Sequence, residues 1–340
     1  LGVDVANNVV ISSAAGAGSV PGIGLYTAVQ TLSGALQINH DVELDGGSDR
    51  LTWSGAGAVW SGSGNITING GRVTHDGAAN TWTGNMTVNA SSTFQPGHAS
   101  TLGPTNSVTV AGTLQLNAVS QTINGLSGGG SVRNIIGANT ITIGAGNATA
   151  SFSGVISDNS GVMTVEKSGT GTQTLSSDNT YTGTTTIKAG TLTFSTPNFN
   201  TYRGGTITIQ GVSTMNVVTT GGANRYDFQH KTIQWDATGG GTLSLGNNIN
   251  FVLDTASSGT TTFRTTGGAE NFIIGPGGVN MGNAGHTVSF DIASGSTPTG
   301  LVVSTGMSNG SGLSKTGAGR LTLAAASSYT GGTTVNNGYL

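Results

Sequence analysis

Apolar positions along this chain fall in short triplets, apolar–polar–apolar, bounded by Gly or Asn. Leu36-Gln37-Ile38, Val42-Glu43-Leu44, Ile66-Thr67-Ile68, Met86-Thr87-Val88 and Val108-Thr109-Val110 are early examples. Leu114-Gln115-Leu116, Ile141-Thr142-Ile143, Ile207-Thr208-Ile209, Leu243-Ser244-Leu245 and Leu321-Thr322-Leu323 follow. A period of two with β-branched enrichment predicts half-buried strands. The Gly, Asn, Ser and Thr between them supply turns. Gly recurs too often for a helix to persist. Ile66, Met86 and Val108 open strands 20 and 22 residues apart. Each step has room for further short strands, so one step reads as one coil. The pattern predicts an all-β fold, a right-handed parallel β-helix (β-solenoid) of roughly 14–17 coils. Residues 1–340 read as a single continuous β-solenoid. A sandwich would need longer strands and fewer Gly-rich corners.

The pattern contains a longer repeat. Val165–Leu192 reads V-E-K-S-G-T-G-T-Q-T-L-S-S-D-N-T-Y-T-G-T-T-T-I-K-A-G-T-L. Leu313–Leu340 reads L-S-K-T-G-A-G-R-L-T-L-A-A-A-S-S-Y-T-G-G-T-T-V-N-N-G-Y-L, and 12 of 28 positions are identical without a gap. The shared positions include Lys167/Lys315, Gly169/Gly317, Gly171/Gly319, Tyr181/Tyr329, Gly183/Gly331, Gly190/Gly338 and Leu192/Leu340. Degenerate echoes run through residues 50–120, where Trp60-Ser61-Gly62 and Trp82-Thr83-Gly84 each precede a triplet as Tyr181-Thr182-Gly183 does. These aromatics are expected to flank corners and cover the next coil. The Gly after each is expected to let the backbone turn where a Cβ would clash. The other reading of the aromatics is a strip that stacks on sugars.

K-T-G-A-G-x-L-T-L, then Y-T-G-G-T-T-V, then G-x-L resembles the autotransporter-associated β-strand repeat, also called the passenger-associated transport repeat. The lead-in Phe152-Ser153-Gly154-Val155-Ile156 is similar too. The resemblance implies a secreted, extracellular β-solenoid of a bacterial surface. It implies no activity, because a fold does not carry a function with it.

Composition supports that class. There are 59 Gly in 340 residues, against a usual share of about 7%. Charged residues are only 7% and the net charge is −3. Eleven scattered Lys and Arg give no footprint for nucleic acid. No apolar run approaches the ~20 residues of a transmembrane helix. Cysteine is absent, so disulfides do not hold the fold.

Candidate chemistry is sparse. The densest acidic stretch is Asp41-Val42-Glu43-Leu44-Asp45, followed by Gly46-Gly47. Alternation puts Asp41, Glu43 and Asp45 on one face. That face reads as solvated, as a calcium site of oxygen ligands, or as the carboxylate cluster of a polysaccharide-cleaving β-helix. Asp227, Asp236 and Asp254 span little more than one coil, which makes a lateral meeting conceivable. His40, His75, His98, His230 and His286 are isolated, against a zinc site. Gly125-Leu126-Ser127-Gly128-Gly129 and Gly306-Met307-Ser308-Asn309-Gly310 fit the G-x-S-x-G pattern, but that elbow needs a following helix. Both read as turns. The G-x-G pairs lack a helix and a phosphate-binding Lys, and no cofactor is expected. The aromatic and charged stretches 198–202 and 223–231 read as flank loops able to carry specificity. Between Gly239 and Val303 the triplets resume, with Phe251, Phe263, Phe272 and Phe290 as expected core residues.

The sequence therefore predicts a non-enzymatic structural or adhesive surface protein. Both ends read as open in mid-pattern, which predicts self-association end to end into a fibre, or a place within a longer passenger. Surface glycans and host or neighbouring cell surfaces are the other expected partners. The alternative is a polysaccharide-binding or polysaccharide-cleaving β-helix protein.

Overall fold

The computed structural model describes residues 4–5, 9–11, 22–24, 30–196, 200–201, 203–219, 225–228, 231–236, 239–247, 249–253, 260–267, 270–294 and 300–340. Parallel strands stack as a β-solenoid of about 12 turns, with no helix among the described residues. The chain divides into two compact units, Leu1–Val165 and Glu166–Leu340.

In the first unit each coil lays one strand on each of several faces. Leu36–Ile38, Val42–Asp45 and Arg50–Gly55 make one coil. Trp60–Gly62, Ile66–Asn69 and Arg72–Gly77 make the next. Each strand pairs in parallel with its counterpart one coil on, as in Leu36↔Trp60, Val42↔Ile66 and Arg50↔Arg72. The second unit follows the same plan, with Thr185–Ile187, Ile207–Ile209 and Thr232–Trp235 successive in one sheet.

The step between coils varies. It is 18 residues at Thr113↔Ser131 and 30 at Thr232↔Thr262. A uniform coil of 20–25 residues underlay the expected 14–17 turns; longer corners in the second unit use up chain without adding a turn.

Alternation fixes what lies inside. The first and third residues of nearly every triplet are buried, including Ile66, Ile68, Met86, Val88, Val108 and Val110. In-register pairing stacks like upon like at about 4.8 Å, so the core is a set of columns. Phe263 and Phe290 stack with centroids 5.0 Å apart, and Tyr226 and Phe251 stack at 6.0 Å. Each buried large side chain contributes about 1.5–3 kcal/mol relative to exposure.

Several expectations change. Phe251, Phe263 and Phe290 are core residues, but Phe272 is not fully buried. Its strand, Asn271–Ile274, turns Asn271 and Ile273 inward instead. The buried Asn271 Oδ1 accepts the Gly241 N–H at 3.2 Å, a bond Phe cannot make. Trp60-Ser61-Gly62 is itself a strand rather than a corner. Gly125–Ser127 and Met307–Ser308 are strands as well, so the Ser-containing patterns are not turns.

Candidate functional site: the lysine–glycine corner and the asparagine ladder

The repeated motif folds into the same corner twice. In the first copy Val165 and Lys167 both point inward on strand Val162–Lys167. An unpaired ammonium could not stay there. The Lys167 Nζ instead donates to the carbonyls of Ser168 at 2.5 Å, Gly169 at 2.8 Å and Ala189 at 3.2 Å. Two carbonyls belong to its own corner and the third to the corner of the following coil. In the second copy Lys315 Nζ donates to Thr316 at 2.6 Å, Gly317 at 2.7 Å and Asn337 at 3.2 Å. All three donors of the ammonium are thereby used in both copies.

The glycines make this approach possible. Gly190 has φ +64, and a Cβ there would lie 2.4 Å from the Gly171 carbonyl oxygen and 2.6 Å from that of Gly169. Gly338 repeats this with φ +76, 2.3 Å to the Gly319 oxygen and 2.5 Å to the Gly317 oxygen. Any side chain would push the corners apart and draw a carbonyl away from the lysine. The repeat tyrosine closes the next bend: Tyr181 Oη and Thr185 Oγ1 are 2.8 Å apart, and Tyr329 Oη and Thr333 Oγ1 are 2.7 Å apart. Burial lowers the Lys167 ammonium to about 8 and lowers Lys315 as well, where Asp291 opposes the shift.

The glycine after the second tyrosine sits where a Cβ would clash, as expected, but without a left-handed turn. Gly331 is half-buried at a bend, and its backbone is not left-handed. What excludes a side chain there is contact with the preceding coil. A Cβ on Gly331 would lie 2.3 Å from both the carbonyl carbon and the oxygen of Ser311, and 2.4 Å from the Gly312 nitrogen. Gly331 is therefore a close-approach position rather than one that needs a special φ. Its counterpart Gly183 also lacks a left-handed φ, and its carbonyl accepts the Gly205 N–H of the following coil at 2.8 Å.

A second device runs along the first unit. Asp41 Oδ1 accepts both the backbone and side-chain N–H of Asn65, at 2.9 and 3.0 Å. Asn65 Oδ1 accepts the Asn85 N–H at 2.9 Å, and Asn85 Oδ1 accepts that of Ser107 at 3.1 Å. A parallel column links Glu43 Oε1 to Asn69 Nδ2 at 2.8 Å. Asparagines in register thus satisfy backbone donors at the corners, where strand pairing stops.

These ladders account for the acidic stretch. Asp41, Glu43 and Asp45 do share one face, with Val42 and Leu44 buried on the other. Each carboxylate has its own bond, Asp45 Oδ1 taking the Gly47 N–H at 2.7 Å. Among the described residues, no group of three or more His, Asp or Glu is arranged to hold a metal ion. Asp227 is held by Arg225, and Asp236 Oδ1 accepts the Gly211 N–H at 3.2 Å. Asp254, Tyr202 and His230 lie outside the described residues.

The aromatic strip is interior. Trp53, Trp60 and Trp82 are buried, and Trp60 meets Trp53, Trp82 and His75 edge-on. Trp82 Nε1 donates to the Gly64 carbonyl at 2.7 Å. These rings pack coils together and offer no face to a sugar. Burial lowers His75 to about 4, so it sits in the core as a neutral ring.

Sequence reasoning marked Lys167 and Lys315 as repeat positions without a role. The signal was a Lys two residues before a Gly at an inward-facing strand position. The ladder was visible as Asn65-x-x-x-Asn69 and Asn85-x-x-x-Asn89, the residues that bound two triplets.

The passenger-associated transport repeat model matches this chain at residues 165–194 and 313–340, the two segments that carry the lysine corner. No curated protein and no solved structure matches the chain. The repeat and the β-solenoid together fit an autotransporter passenger. Proteins with this repeat are typically structural, and the repeat suggests secretion or display at the cell surface. Among the described residues, no helix is long and apolar enough to cross a membrane.

Proposed function

We propose that this chain is a non-enzymatic, structural or adhesive part of a secreted bacterial passenger. The observation that carries this reading is the duplicated corner, in which one buried lysine joins two successive coils through backbone carbonyls. Such a device needs no cofactor and contributes to persistence rather than turnover. The same reading takes residues 1–340 as one continuous stack, and association with a further coil, from a longer passenger or from another copy, as part of its role.

Two experiments test it. Antibody against the chain should label intact producing cells, and external protease should remove the label. Signal confined to lysed cells would overturn the surface reading. Negative-stain images of the purified chain over a range of concentrations should show end-to-end association increasing with concentration. Single short particles throughout would remove the fibre and leave the longer passenger.

A further inference from the structure

The arginines of this chain are not equivalent. Arg133 donates to Gln115, Arg203 pairs with Asp178, Arg225 with Asp227 and Arg264 with Asp291, while Arg320 lies over the Tyr339 ring. Arg50 and Arg72 alone have no ion pair, ring contact or side-chain hydrogen bond among the described residues. They are also neighbours. Arg72 pairs in register with Arg50 on one side and with Thr93 on the other. The residues that follow them, Leu51, Val73 and Phe94, are buried, so Arg50, Arg72 and Thr93 form an outward column. Two guanidinium groups one strand spacing apart repel each other. Nothing in the packing requires both to be cations.

The column opens onto a cavity of about 530 Å³, lined also by Ser48, Asp49 and Ser91. Its wall holds a second irregularity. Ser91 has φ +64, a left-handed conformation uncommon outside Gly and Asn. Ser91 lines the same cleft as Ser48 and Thr93. We propose that this cleft binds an oxyanion, a carboxylate or sulfate group borne by a polysaccharide. One oxyanion between Arg50 and Arg72 would relieve their repulsion and meet two planar forks that suit bidentate contact. The surrounding hydroxyls match the hydroxyls of a sugar, and the cleft has little apolar wall to favour a hydrophobic ligand. Asp49 sets the limit: it leaves the cleft one positive charge rather than two. The anion site stands on the arginine geometry alone; its polysaccharide source rests on the surface reading above.

Titration calorimetry on the full chain tests both parts. The probes are sodium sulfate against sodium chloride at matched ionic strength, then polygalacturonate, dextran sulfate and neutral dextran. Sulfate should bind where chloride does not. Arg50→Gln and Arg72→Gln should each weaken it by about tenfold or more, Arg72→Lys by less, and Asp49→Asn should strengthen it. Both arginines point outward, so unchanged thermal melts will show that the variants fold. Sulfate binding that survives both Gln variants, or that chloride matches, overturns the site. Binding of sulfate but of neither charged polymer overturns the polysaccharide, as does neutral dextran binding as well as dextran sulfate.

Discussion

The two copies of the repeat share a motif and differ in cover. Around Lys167 and Lys315 the three ammonium–carbonyl distances agree within 0.1 Å. Beyond the corner the copies part. Ile187 is fully buried, and its counterpart Val335 is 45% exposed. Leu192 is buried, and Leu340 is 52% exposed. Within residues 1–340 the difference lies in the neighbouring strand. Thr185–Ile187 pairs onward with Ile207–Ile209, and Thr191–Thr196 with Thr214–Thr219. Thr333–Val335 pairs back with Gly312–Thr316 and, among the described residues, has no strand on its other edge. The repeat therefore encodes its own clamp and borrows its hydrophobic cover from the coil that follows.

The largest test of that division is hydrophobic. Measured on residues 1–340 alone, Ile187→Ala should cost about 2–4 kcal/mol and Val335→Ala less than about 1 kcal/mol; a coil packed after Leu340 should bring the two together. Urea midpoints measure both, and equal losses would break the comparison. Next come the corner glycines. Gly190→Ala should cost about 2–3 kcal/mol, from the left-handed backbone and a Cβ driven into a carbonyl. Measured on residues 1–340 alone, Gly338→Ala should cost about half as much, because the last coil of that segment can move away. The lysines should behave alike. Lys167→Met and Lys315→Met each leave three carbonyls without their donor, at about 2 kcal/mol.

The pH dependence sharpens this third prediction. Lys167 falls from 10.5 to about 8 in the folded protein because burial disfavours its charge. Between those values the unfolded chain binds more protons, so stability from this group rises with pH across the window. It is complete above the unfolded value and lost as pH falls through about 8. Thermal melts should show the gap between the parent and Lys167→Met widening from pH 8 to 10. The smallest effect is at the tyrosines. Tyr181→Phe should cost about 1 kcal/mol, and Tyr329→Phe only a few tenths, since water can replace its partner.

The acidic face lies outside this pair and has its own control. A melting temperature raised by calcium and no longer raised in Glu43→Gln would assign Asp41, Glu43 and Asp45 to a cation. No shift would leave them to the ladder bonds with Asn65 and Asn69.

Much of the fold was legible because a period of two needs little context. Every triplet named from the sequence lies in a strand, since each alternates and ends at a turn residue. The misreadings came from side chains whose fate depends on the adjacent coil. Phe272 is more apolar than Asn271, yet the inward place goes to the residue that can satisfy the Gly241 N–H. Trp60-Ser61-Gly62 looked like a corner by analogy with Tyr181-Thr182-Gly183, but Leu36–Ile38 lies beside it as a pairing partner. At Gly331 the expected Cβ clash is present, but its source, the backbone of Ser311 in the coil before, could not be read from the sequence. The corner lysine was legible as a repeated letter and not as a structural part. Its third carbonyl comes from Ala189, 22 residues away, a contact that exists only once the coils are stacked. The cleft at Arg50 and Arg72 was hidden for the same reason, because the two arginines meet across 22 residues.

The asparagine ladder also has a direction. In it the backbone N–H of Asn65, Asn85 and Ser107 each reaches a side-chain oxygen of the coil before it. A coil therefore holds out acceptors to the coil that follows it in sequence. Each coil carries the acceptor half of its successor's fastening, so removing one side-chain oxygen loosens the coil after it rather than the coil that bears it.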